Sequence, residues 1–294
     1  MISHPVKYSI TDELLAAIVN IIQSNTLSPL RLIVTQELVA SFASKRGLFV
    51  ISVFILTWTW LLFYPISFAA EAMKGSQGGS FVFSVLSAMG LESLNNWLMA
   101  EFAVYWIVAL YVFPTFSLLM ASDQMISERQ RGGLRFLTLR CSRTNIFFGR
   151  FLGHMLIQLL LLLATLAITY ALLLINNSQY WLEGLKILPL LMLNIILVTS
   201  PFVALMSLLS IVMNSVRMSI LVATIILVLA GVIINYAASY FPFLSLLNYW
   251  IPGAQVSQMA QLSPTAALSV LWNPAMQTLG LLAVGYGLFK RQAI

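Results

Sequence analysis

The chain has 294 residues, 60% of them hydrophobic and only 8% charged, with a formal net charge of +6. A soluble domain usually carries roughly 25% charged residues, so this composition, with a mean hydropathy of +0.94, excludes a globule covered by water and places much of the surface in lipid. The pI near 9.6 does not mark a nucleic-acid binder: the basic residues flank apolar stretches and form no continuous stripe, a pattern that suits anionic lipid.

From the N-terminus, Asp12, Glu13, Asn20 and Asn25 interrupt the apolar positions, so the opening segment does not read as a cleavable signal. Leu14, Leu15, Ile18, Ile21 and Ile22 recur at helical spacing and predict a short amphipathic helix over residues 11–23. Ser28 and Pro29 are a good helix start. Leu30, Val34, Leu38 and Phe42 follow at intervals of four, which predicts an interfacial helix leading to Lys45 and Arg46 at the bilayer boundary. The expected organisation is therefore an N-terminal segment, 1–46, followed by a membrane domain, 47–294.

A bilayer-spanning helix needs about 20 predominantly apolar residues. Six stretches qualify, at about 47–66, 103–121, 151–175, 187–213, 219–236 and 274–289. The fold class expected is all-α and polytopic. The segment 71–101 reads as an external excursion, with Glu92 and Glu101 on a solvated face. Before the last span, Pro242, Pro252, Pro264 and Pro274 break the chain too often for one clean helix, so re-entrant or interfacial half-helices are expected there.

With the N-terminus inside, 13 of the 15 lysines and arginines fall on the cytoplasmic side, and only Lys74 and Lys186 fall outside. That asymmetry follows the positive-inside rule and puts both termini in the cytoplasm.

Several absences narrow the function. No G-x-x-x-x-G-K-[ST] phosphate loop is present, so nothing in the sequence is built to bind ATP. No H-E-x-x-H occurs, and Cys141 is the lone cysteine, which excludes an intrachain disulfide or a thiolate cluster. His154, near the cytoplasmic end of the third span, reads as a packed or snorkelling residue. No charge lies near the middle of a predicted span, whereas ion-coupled carriers usually hold one at membrane depth. Interior polarity is confined to groups such as Gln158, Thr165, Thr169, Asn194, Ser207 and Asn235, suited to bonds between helices.

The longest polar interruption, 122–150, is where chemical energy from a partner would enter. It begins Asp123-Gln124-Met125-Ile126-Ser127-Glu128-Arg129-Gln130-Arg131, a helical continuation of the second span. Gly132-Gly133 breaks that helix. Leu134, Phe136 and Leu137 then form an apolar face studded with Arg135 and Arg140, Ser142-Arg143-Thr144-Asn145 makes a turn, and Gly149-Arg150 opens the third span. A short helix of this kind suits a partner's groove; a basic loop resting on anionic headgroups fits the same residues.

The run Glu128-Arg129-Gln130-Arg131-Gly132-Gly133-Leu134, followed by Ser142-Arg143 and Gly149-Arg150, resembles the loop between the second and third spans of ABC type-2 exporter permeases. Gly133 stands where threonine is usual, and Cys141 lies near the expected proline. Gln36-Glu37-Leu38 ahead of Lys45-Arg46 resembles the family's interfacial elbow helix, with Arg31 in its first turn. The small size resembles the permeases of nitrous-oxide-reductase maturation and of gliding motility.

The resemblance implies a non-catalytic subunit in a bacterial inner membrane. Two copies would form the translocation path, with ATP and Mg bound by separate cytoplasmic ATPase chains and no cofactor held by this one. Residues 132–143 would dock in the ATPase, Glu128 would pair with a nearby arginine at the surface, and the elbow helix would slide along the membrane. Lipids and an accessory or periplasmic protein complete the implied partners. A carrier or channel working alone, and an ABC membrane subunit driving assembly or signalling, are the alternative readings.

Overall fold

The computed structural model describes residues 29–66 and 99–291, and no strand occurs among them. The expected helix at 11–23 and residues 71–98 of the expected excursion, Glu92 among them, lie outside the described residues. Within the described residues eleven α-helices follow one another. α1 (Pro29–Ala43) is separated by Ser44 alone from α2 (Lys45–Leu61), which continues as a π-helical turn, Leu62–Ile66. α3 (Ala100–Met120) runs through a 3-10 turn into α4 (Ile126–Gln130) and α5 (Gly133–Arg140). α6 (Arg143–Asn176), α7 (Trp181–Val212) and α8 (Val216–Tyr240) are long. A 3-10 stretch, Pro242–Trp250, precedes the short α9 (Val256–Ala260) and α10 (Pro264–Ala267), and α11 (Trp272–Arg291) closes the fold.

Among the described residues five helices are long and apolar enough to cross a membrane, or six when the broken pair Pro264–Val270 and Trp272–Arg291, bent by 44°, is counted as one span. The chain is a multi-pass membrane protein. The half-helices expected before the last span are present as α9, α10 and their 3-10 extensions.

The helices outrun the predicted spans because serine caps start them early. Ser142 Oγ accepts the Asn145 amide at 3.2 Å, so α6 begins eight residues before the predicted span and Arg150 lies two turns inside it. Ser44 caps α2 through Gly47 N at 3.0 Å, and Ser215 caps α8 through Met218 N at 3.2 Å. Each cap satisfies one of the amides that a helix start leaves unpaired.

α7 is the central post, packed against α3, α6 and α11. Pro189 and Pro201 lie inside it. Pro201 cannot donate to the Leu197 carbonyl, and the Ser200 hydroxyl takes over that acceptor at 2.8 Å. The same hydroxyl meets Thr278 Oγ1 of α11 at 2.7 Å. Asn194 of α7 donates to the Pro264 carbonyl at 3.1 Å, and Tyr105 OH of α3 meets Thr165 Oγ1 of α6 at 2.9 Å. Thr165, Asn194 and Ser207, the last through Gln124, bond to other elements as expected; the buried Gln158 side chain makes no such bond, and that of Asn235 lies outside those described. Thr169 bonds instead within α6, to the Thr165 carbonyl.

The apolar core has two parts. One, rich in aromatic rings (Phe54, Trp58, Tyr105, Phe113 and Phe116), joins α2, α3, α6, α7, α9 and α10. The second lies towards the arginine-bearing end and joins the start of α6 to α1, α5, α7, α8 and α11. At the opposite end Glu101 corrects an expectation. It is 1% exposed, not solvated, because the end of α6 covers the start of α3 and the Asn176 and Asn177 side-chain amides donate to its Oε1 at 3.2 and 3.5 Å.

Candidate functional site

The segment singled out in the sequence gathers at one end of the bundle, and its residues divide into a buried foundation and an exposed helix. α4 ends in a left-handed turn. The Gly132 amide donates to the Arg129 carbonyl at 3.1 Å while Gly132 itself holds φ +72°. A side chain is strained in that region, so a glycine belongs there. Gly133 then opens α5.

On α5 the helical period divides the apolar residues differently from the predicted face. Leu134 is buried in the second core cluster and Leu137 packs half-buried against it, one above the other at i, i+3. Phe136 and Leu139 occupy the opposite side, 73% and 83% exposed. The expected single face of Leu134, Phe136 and Leu137 is therefore corrected: Leu134 anchors the helix, and Phe136 with Leu139 is what it presents. Leu139 was missed by sequence reasoning, although its place three residues after Phe136 was a sufficient signal. Arg131 and Arg135 are exposed beside this pair. Arg140 closes α5, its side chain lying outside those described.

The remaining predicted residues are structural. Arg129 donates to the carbonyls of Ile211 and Met213, and at 3.3 Å to Asn214 Oδ1, which caps the end of α7. Arg143 donates to the Lys290 carbonyl at 3.0 Å and so caps α11. Both place a cation at the negative end of a helix, where terminal carbonyls lack intrahelical donors. Ser142 is spent on the α6 cap. Neither arginine's role was visible in the linear sequence, since the carbonyls they cap lie at least 82 residues away.

Glu128 was expected in a surface ion pair. Its partner, Arg150, has a side chain only 4% exposed, so the pair is largely internal. Arg150 reaches three other segments from α6. Its Nη2 meets Glu128 Oε2 of α4, and its Nη1 donates to the Gln124 carbonyl and lies 3.1 Å from Glu37 Oε1 of α1. His154, one turn along α6 and buried, sits with Nε2 3.5 Å from the other Glu37 oxygen. Gln124 extends the cluster, accepting from Ser207 Oγ of α7 at 2.7 Å.

α1 can come this close because α6 offers no side chains in its way. A Cβ on Gly149 would stand 2.9 Å from Ile33, and one on Gly153 would stand 2.7 Å from Glu37 Cβ. The G-x-x-x-G spacing of Gly149 and Gly153 makes a groove for Ile33 and Glu37, themselves four residues apart. Of the predicted elbow residues, Glu37 is buried here, Leu38 is half-buried against the aromatic cluster and Arg31 is exposed. Burial pushes the Glu37 carboxyl up to about 7; Arg150 pulls it down, and the nearby Glu128 and Asp123 raise it further.

No group of three or more His, Cys, Asp or Glu side chains arranged to hold a metal occurs among the described residues. The arrangement offers instead a basic, apolar-tipped helix on a base cross-linked by buried ion pairs. No curated protein matches the chain by sequence. Residues 31–293 match the family model described as ABC-2 family transporter protein, and with its five or six membrane-crossing helices the chain belongs to that family as a transmembrane permease.

Proposed function

We propose that this chain is the membrane subunit of an ATP-driven exporter, working as a pair of copies with separate cytoplasmic ATPase chains docked on α5. The observation that carries the reading is the Phe136 and Leu139 pair, 73% and 83% exposed on a helix flanked by Arg131 and Arg135. Large apolar side chains on a short water-facing helix suit a partner's groove, with arginines at the rim to orient it. ATP and Mg belong to the partner, and this subunit has no catalytic part. The arginine-bearing end faces the bacterial cytoplasm, as the positive-inside bias favours.

Affinity purification in mild detergent, with identification of the proteins retained, tests this directly. A stoichiometric ATPase is expected with the unaltered chain. The double substitution Phe136→Asp, Leu139→Asp should lower its recovery by at least about tenfold, since two anchors of an interface are lost, while membrane insertion is unchanged. Undiminished recovery would remove α5 from the interface. Leu134→Asp should instead reduce the amount of folded permease, because it places a charge in the core.

A further inference from the structure

Arg150 has more partners than stability calls for. A guanidinium 4% exposed reaches α1 through Glu37, α4 through Glu128 and the α3–α4 turn through the Gln124 carbonyl, all from a position inside α6. A buried ion pair is not in itself a strong source of stability, because desolvation offsets much of its attraction. Its effect is geometric: the planar fork fixes the angles among the groups it holds. The Gly149 and Gly153 groove acts on the same elements, letting α1 rest on α6 backbone to backbone. Ion pairs and groove together leave α1 no room to slide along α6 without separating Arg150 from Glu37 or driving Ile33 out of its seat.

We propose that Arg150 is the positioning residue that makes α1, α4 and the start of α6 one rigid block, so that a push on α5 reaches the elbow helix and the third span together. The proposal rests on the docking role given to α5 above. It opposes the picture in which the elbow helix slides independently along the membrane.

The test uses spin labels on exposed positions of α1 and α4, Gln36→Cys and Gln130→Cys, in a Cys141→Ser background of the full-length permease in lipid. The distance distribution in the unaltered block should be narrow, and the same with and without ATP when the ATPase is bound. Arg150→Gln should broaden it. The same substitution should lower permease-stimulated ATP hydrolysis by about tenfold at saturation, while ATPase affinity stays within about twofold, a split that simple unfolding would not give. Arg150→Lys should restore only part of the loss, since an ammonium cannot hold two partners in a fixed plane. A nucleotide-dependent distance in the unaltered block, or an unbroadened distribution in Arg150→Gln, overturns the proposal. Should Arg150→Gln fail to insert, Glu128→Gln removes one arm at a partly exposed side chain and must broaden the distribution; no change there overturns it equally. Failure of any ATPase to bind would sink the functional reading and leave the comparison of the free permeases to decide the rigid block.

Discussion

Glu37 is the residue at which burial and charge pairing pull in opposite directions. It faces Arg150 and His154 of α6 and is raised by Glu128 of α4 and by Asp123. A carboxyl raised from its ordinary 4.5 to about 7 favours the folded state most when protonated. Its contribution is complete below about pH 4.5 and lost as pH rises through about 7. Glu37→Gln mimics the protonated acid, so the unaltered protein should lose thermal stability relative to this variant between about pH 5 and about pH 8. Melting curves of both in detergent at the two ends of that range would check the sign. A constant difference would mean that Glu37 stays ionised against Arg150 throughout.

At the scale of elements, helix contacts decide what composition left open. Gly153→Ala improves helix propensity by about 1 kcal/mol in isolation, yet the new Cβ would stand 2.7 Å from Glu37 Cβ. Overpacking of this kind typically costs about 1–3 kcal/mol, so a net loss of stability and a loosened α1 are expected. Gly287→Ala in α11, where a Cβ meets nothing within 4 Å, should be neutral or stabilising. The melting temperature should therefore fall for Gly153→Ala and hold or rise for Gly287→Ala. The six apolar segments and the break at Gly132 were legible in the sequence because hydropathy and glycine act locally. The division of α5 into Leu134 inside and Phe136 and Leu139 outside was not, since it depends on which side of the helix the bundle occupies. Arg129, Arg143 and Arg150 looked alike in a basic loop, and only the long-range contacts give two of them helix ends and the third an ion-pair cluster.

For the molecule as a whole, sidedness is the property the charge bias speaks to. In a Cys141→Ser background, Gln179→Cys in the turn between α6 and α7 should react with a membrane-impermeant thiol reagent from outside intact cells. Leu139→Cys on α5 should react only after the membrane is opened. The reverse pattern would invert the topology and remove α5 from any cytoplasmic partner. Coverage of the bundle is uneven: only 11% of the apolar window of α8 is buried within the chain, against 78% for α7. α8 therefore leaves most of its apolar surface outside the packing of the described residues. The all-α architecture was readable from the start, because a bilayer admits few alternatives; the foundation under α5 was not, because its parts are scattered from Glu37 to Lys290.

The length of α6 bears on the membrane itself. Thirty-four residues at 1.5 Å each make a rod about 50 Å long, against a hydrocarbon layer about 30 Å thick. The seven helical steps from Arg143 to Arg150 alone account for about 10 Å of that length. On the cytoplasmic side, where the proposed docking role puts it, α5 would rest on a support whose length is set by protein and not by lipid. Thinner or thicker bilayers would tilt or compress the shorter helices, while the basic tip kept its distance from Arg150.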